Sequence, residues 1–236
     1  MAKQKQKKKH IWQIILIIGI CCLLVAGMLC VRYYKKQQEF VFTEHLKEVA
    51  LSVDETQVSL SELCYYIYVV ESYVNEQALV YNPEDKMDYW NTHFSAGDDS
   101  AFVCDMAKES AYDTCICDCV YENMAKAEGY ALTEQEIAKA KENATQVYES
   151  LTEEQRSRTG LTEYSISKVE ERKLLVQRYL LDYVKTTDLS SYGDNLEAAL
   201  SAGGAYYEEK IKNMHQISEN TTLKDQFTLG KITINY

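Results

Sequence analysis

The longest uninterrupted hydrophobic stretch comes first, with 21 uncharged residues from Ile11 to Val31. As a helix they would rise roughly 31 Å, about the thickness of a bilayer's hydrocarbon core. Five lysines (Lys3, Lys5, Lys7, Lys8, Lys9) precede the stretch, and only Arg32, Lys35 and Lys36 follow it closely. The positive-inside rule then keeps the N-terminus in the cytoplasm and exports the rest. The competing reading is a cleaved signal peptide, for which Val25-Ala26-Gly27 supplies small residues; the apolar run continues past it through Val31, which favours an uncleaved anchor. The organisation expected is a basic tail over 1–10, a transmembrane helix over 11–31, a helical stalk over 32–48, and one extracytoplasmic domain over 49–236.

Beyond the stalk the periodicity changes. Residues 49–58 (VALSVDETQV) read as an extended segment with a tight turn at Asp54-Glu55, and Ser59-Leu60-Ser61-Glu62 is a capping box that opens a helix. That helix, Leu60 to about Val80, places Leu60, Leu63, Cys64, Ile67, Val74 and Ala78 on one face. Tyr66, Val69, Val70 and Tyr73 carry the apolar surface past half its circumference. A helix this apolar is covered on two sides, either as the centre of a bundle or with one side left as a peptide cradle. Asn82-Pro83 stops it, and a loop bearing Tyr89, Trp90 and Phe94 leads to a second helix over Ala101–Glu128. Thr133-Glu134-Gln135-Glu136 opens a third helix. Gly160-Leu161-Thr162-Glu163 opens a fourth, with Ile166, Val169, Val176, Leu180 and Val184 in register. Residues 190–204 read as a connection, and a last helix covers about Ala205 to His215.

Thr228 to Ile234 (TLGKITI) has the clearest strand alternation in the chain. Its expected partner is the Val49–Val58 segment. The fold class is therefore mainly α, a helical bundle with a small two-stranded β element joining the two ends of the domain.

With one proline and nine glycines in 236 residues, the composition agrees with a helical chain of one main domain. Charge adds an asymmetry. Residues 1–36 hold eight of the 25 basic side chains and no acid, so the remaining 17 face all 36 acidic ones, a net −19. Such a surface repels phosphate backbones, which argues against a nucleic-acid partner.

Two stretches resemble a known family. Val53-Asp54-Glu55-Thr56-Gln57-Val58-Ser59-Leu60-Ser61-Glu62, followed by a tyrosine-rich helix, resembles the N-terminal chaperone region of SurA-type and PrsA-type extracytoplasmic foldases. Residues Ala127 to Ile137 are similar to that family's step from helix through glycine and capping box to helix, and Gly160-Leu161-Thr162-Glu163 with Leu174, Leu175 and Leu180 to its final long helix. Residues 49–185 are covered. The resemblance implies a helical clamp that holds unfolded or partly folded exported polypeptides, with no cofactor. It would imply prolyl isomerase activity only with a parvulin module, and the 51 residues after Lys185 are expected to be too few for one and lack its paired histidines.

Candidate chemistry is sparse. Tyr66, Val69, Val70, Tyr73, Tyr89, Trp90 and Phe94 are the expected client-binding residues, since tyrosine gives large contact area at low entropy cost; tyrosines at the rim of a helical core are the equal alternative. Cys64, Cys104 and Cys115 are a possible disulfide set or small apolar core residues. On a continuous helix Cys117 points away from Cys115 and Cys119, so the Cys115-Ile116-Cys117-Asp118-Cys119 run does not form a metal site. No nucleophile or phosphate motif marks an enzyme. Two functions remain open: a membrane-tethered, noncatalytic chaperone for exported chains, and an envelope scaffold that docks on one folded partner. Oligomeric state is not legible.

Overall fold

The computed structural model describes residues 40–93 and 100–233, together with Val25, Gly27 and Met28. The 11–31 segment thus lies outside the described residues apart from those three positions, as do Phe94 and Ile234. Among the described residues no helix is long and apolar enough to cross a membrane. Residues 41–236 form one compact unit.

That unit is mainly helical with a three-stranded antiparallel sheet at one end. Its elements are α1 (Phe42–His45), β1 (Val49–Val53), β2 (Thr56–Ser59), α2 (Leu60–Tyr81), α3 (Lys86–Trp90), α4 (Val103–Ala127), α5 (Glu134–Ser150), α6 (Glu153–Thr159), α7 (Glu163–Thr186), α8 (Leu196–Leu200), β3 (Ile217–Glu219) and α9 (Thr221–Lys224). A π-helical turn over Tyr207–Ile211 and a 3-10 turn over Lys212–Met214 occupy the span expected as a last regular helix.

Helix starts follow the local chemistry. Ser59 accepts the Glu62 N–H at 3.4 Å while the Glu62 carboxylate accepts the Ser59 N–H at 3.2 Å, closing the capping box of α2. Thr133 and Glu136 do the same for α5. Two further boxes, Thr152 with Gln155 and Thr162 with Ser165, open α6 and α7. The fourth predicted helix therefore starts one signal later than expected, because Gly160 (φ 62°) is the left-handed terminator of α6.

The long helices α2, α4, α5 and α7 pack on one another around Leu60, Leu63, Ile67, Ile116, Val120, Ile166, Val169 and Tyr179, all almost wholly buried. Tyrosines fill much of the remaining core. Tyr130, Tyr179, Tyr183, Tyr206 and Tyr192 contact one another in sequence, with ring centroids 5.1–6.2 Å apart. A buried tyrosine usually gives its hydroxyl a partner. Tyr179 donates to Glu128 at 2.7 Å, and Tyr183 and Tyr206 share one bond at 2.7 Å.

The sheet order is β2-β1-β3. Val49–Ser59 makes a hairpin on itself around Asp54-Glu55, with Val53 opposite Thr56. The other edge of β1 pairs with β3, with Val53 opposite Ile217 and Leu51 opposite Glu219. The two ends of the domain do meet, but the C-terminal strand is Ile217–Glu219, and the described part of 228–234 forms no strand. The physical reason lies at Glu71. A strand points successive N–H groups to opposite sides, whereas here four consecutive amides converge on one carboxylate. Gly230 donates to Glu71 at 2.5 Å, Lys231 and Ile232 at 3.2 Å each, and Thr233 through both its N–H and its hydroxyl. Glu71 is fully buried in the middle of α2.

The stretch expected as a helical stalk is, over its described C-terminal part, packed against the domain. Phe42 is buried with its ring 5.0 Å from Phe227, and the chain turns at Leu46 before β1.

Candidate functional site

A cavity of about 540 Å³ opens between α4, α7 and the α8 segment. From α4 it is lined by Thr114, Cys117, Asp118 and Tyr121, spaced to share one face of the helix. From α7 come Val176, Gln177, Leu180, Leu181 and Val184, again one helical stripe. The third wall is Glu197, Leu200, Ser201 and Ala202. Cys117, Tyr121, Val176 and Leu200 form a buried floor, and Thr114, Gln177, Leu181, Glu197 and Ser201 an exposed rim.

The third wall is held by the floor. Tyr121 donates its hydroxyl to the Leu200 carbonyl at 2.9 Å, and the Cys117 thiol reaches the same oxygen at 3.8 Å. This satisfies a carbonyl at the C-terminal end of α8 that its own helix leaves open. Gly204 then lets the chain turn back under α8: a Cβ there would lie 2.2 Å from the Ala198 carbonyl oxygen. In sequence, residues 190–204 read as a connection, because the five helical residues of α8 give no measurable period.

One carboxyl, Asp118, stands beside this floor, and a second, Glu197, lies on the exposed rim. Asp118 is half-buried, and its Oδ2 accepts the Tyr66 hydroxyl at 2.9 Å. Burial pushes its pKa above the ordinary carboxylate value, opposed by the Tyr66 bond and by Lys173 and Arg172. Those two cations have other partners. Arg172 bridges Glu122 at 2.7 Å and Glu62 at 3.2 Å, and Lys173 lies 3.7 Å from Glu170.

The residues expected to bind clients divide in two. Tyr66 and Trp90 are core: Tyr66 turns inward to Asp118, and Trp90 packs under Gly230, whose added Cβ would come within 2.7 Å of the indole. Val69 and Tyr73 lie on the outer face of α2, with Val70 half-buried beside them. Val80 continues that face, Leu79 and Tyr81 are exposed to either side of it, and half-buried Tyr89 touches Tyr81 with ring centroids 5.3 Å apart. Phe94 lies outside the described residues. The set therefore does not converge on one groove. The cleft instead uses Asp118, Tyr121, Leu180 and Leu181, and its one legible signal was that 114/117/118/121 and 177/180/181/184 are each helix-face repeats.

Cys64, Cys104, Cys115, Cys117 and Cys119 are all free and buried. Burial raises the pKa of the Cys64, Cys104, Cys115 and Cys117 thiols, which disfavours the thiolate needed for nucleophilic chemistry. Among the described residues no group of three His, Cys, Asp or Glu side chains could hold a metal ion.

No known family model, curated protein or solved structure matches the chain. The resemblance to SurA-type and PrsA-type foldases rests on the quoted motifs.

Proposed function

We propose that this protein is a membrane-anchored, extracytoplasmic binding module for unfolded or partly folded exported polypeptides, acting by holding rather than by catalysis. The observation that carries the reading is the cleft between α4 and α7. Its volume falls in the range of about 300–1,000 Å³ typical of ligand sites, and its floor is apolar. It is open along two helix faces, a shape that suits side chains of an extended or helical segment better than a compact metabolite. Residues 186–233 add no separate module, since they supply α8, β3 and the Glu71 contacts that complete the helical domain. The acidic exterior, net −19 after residue 36, would keep a loaded protein soluble.

The test is light scattering of a thermally denatured client with the solubilised full chain at equimolar ratio. The reading expects delayed aggregation, reduced by Leu180→Asp in the cleft. No delay at equimolar ratio contradicts it.

A second reading, an envelope scaffold on one folded partner, is favoured by the exposed Val69, Tyr73, Val80 and Tyr81 strip, because convex apolar strips suit preformed surfaces. Affinity capture separates the two. One stoichiometric partner lost with Tyr73→Ser supports the scaffold, and a spread of exported clients lost with Leu180→Asp supports the holding module.

A further inference from the structure

The cleft's lining carries an uneven set of charges. Two acids, Asp118 and Glu197, are present, and no lysine, arginine or histidine. Asp118 lies between the buried floor residues Cys117 and Tyr121 on α4, and Glu197 stands on the exposed rim of α8. Tyr66 engages only Oδ2 of Asp118; no hydrogen bond to Oδ1 forms among the described residues. Arg172 and Lys173 act on Asp118 from behind the cleft wall, but neither lines the cleft; Arg172 bridges Glu62 and Glu122, and Lys173 lies 3.7 Å from Glu170.

A carboxyl kept in an apolar cavity costs stability when it ionises, and a cation brought to it by a ligand reverses that cost. We propose that the cleft selects apolar polypeptide segments that carry a lysine or arginine, whose cation pairs with Asp118 while flanking aliphatic side chains rest on Val176, Leu180 and Val184. The rim acid Glu197 meets the same cation on entry. Each helix stripe runs about 10 Å, room for two or three successive side chains of a bound segment. This deepens the reading of the cleft as a polypeptide site and rests on it. It also separates the cleft from the α2 strip, where Val69, Tyr73 and Val80 offer apolar contact with no buried acid among them.

The general attraction of basic peptides to an acidic domain must be separated from a local pair. A fluorescently labelled short leucine/serine peptide with a central lysine, and its counterpart with norleucine at that position, are titrated into the solubilised full chain by anisotropy at about 0.15 M salt, where the screening length is about 8 Å. The expected result is at least a ~10-fold preference for the lysine peptide. Asp118→Asn, which can still accept the Tyr66 bond, abolishes that preference. Glu149→Gln, an equal change of charge outside the cleft, preserves it. Leu181→Lys places a competing cation at an exposed rim position where folding does not depend on the leucine, and it too abolishes the preference. Equal affinities for the two peptides, or a preference that survives both Asp118→Asn and Leu181→Lys, overturn the charge selection and leave polypeptide binding standing. Binding of neither peptide, with no delay of client aggregation, overturns both.

Discussion

Glu71 is an acid in the middle of an apolar helix, with no exposed surface, and it holds the C-terminal segment by its backbone. A buried carboxylate survives only when its lone pairs are filled, and here Gly230 to Thr233 fill them. Glu71→Ala leaves those amides buried without an acceptor. The expected cost is about 3 kcal/mol, a fall in melting temperature of roughly 6–12 °C for a domain of this size, measured by calorimetry. Asp118 has the opposite sign. Its folded pKa is raised, so the stability it contributes is fully present below its unfolded value of about 3.9 and is lost as pH rises through the folded one. Asp118→Asn is therefore expected to melt above the parent at pH 7 and level with it near pH 3. Asp54 runs the other way again. Its hydrogen bond from His215, 2.7 Å long, and that from the Gln216 amide hold its pKa below the ordinary value. The link between the hairpin turn and β3 should loosen as pH falls through that lowered value, seen as a smaller protection factor for the Gln216 amide once its intrinsic exchange rate at each pH is divided out. Glu71 shares the helix face of Ile67 and Val74, so an inward acid is readable there, but its partners in 230–233 and the Tyr66 partner of Asp118 are too remote in sequence for any local pattern to mark them.

At the scale of elements, legibility followed local chemistry. The boxes at Ser59 and Thr133 were readable because side chain and backbone within four residues decide the helix start. The box at Thr152 opens a helix of only seven residues, too few to show a period, and Gly160, which the sequence suggests as an opening, is a stop. The strand in 228–234 is the clearest pattern and fails: Leu229 and Ile232, which a strand would turn to opposite faces, are both buried, because the backbone bends around Glu71. The short β3 succeeded without a pattern because its register is set by the waiting edge of β1. Closure of the two ends remains the element with most consequence. Truncation after Asp225 removes Phe227 from Phe42 and all the backbone donors of Glu71, and is expected to destabilise more than Glu71→Ala does. A truncated chain with unchanged melting would contradict this. The cleft's third wall has its own sensitive point: Gly204→Ala drives a methyl into the Ala198 and Ala199 carbonyls and should displace α8, weakening client binding at least ~10-fold while costing about 1–3 kcal/mol.

For the whole molecule, the helical bundle was readable from periodicity; the ends meet, but through β3 rather than the 228–234 segment whose alternation pointed to it, and the cleft was not readable. A cleft is a property of three elements together, and one of them, α8, is invisible to pattern. The tyrosines illustrate the same limit. Tyr66, Tyr179, Tyr206 and Tyr207 are spent inside, most with hydroxyls matched to acids or to each other, while Tyr73 and Tyr81 remain outside. Composition could not divide them. The account's central claim is that the cleft between α4 and α7 holds unfolded chain. A photo-crosslinking residue at Leu181, on the cleft's exposed rim, tests this most directly against a permanently unfolded, reduced and alkylated client and the same client in its native fold. The account predicts adducts with the unfolded client from position 181 and none from a control position at Glu149. Equal adducts with the native client, or none with the unfolded one, would contradict it.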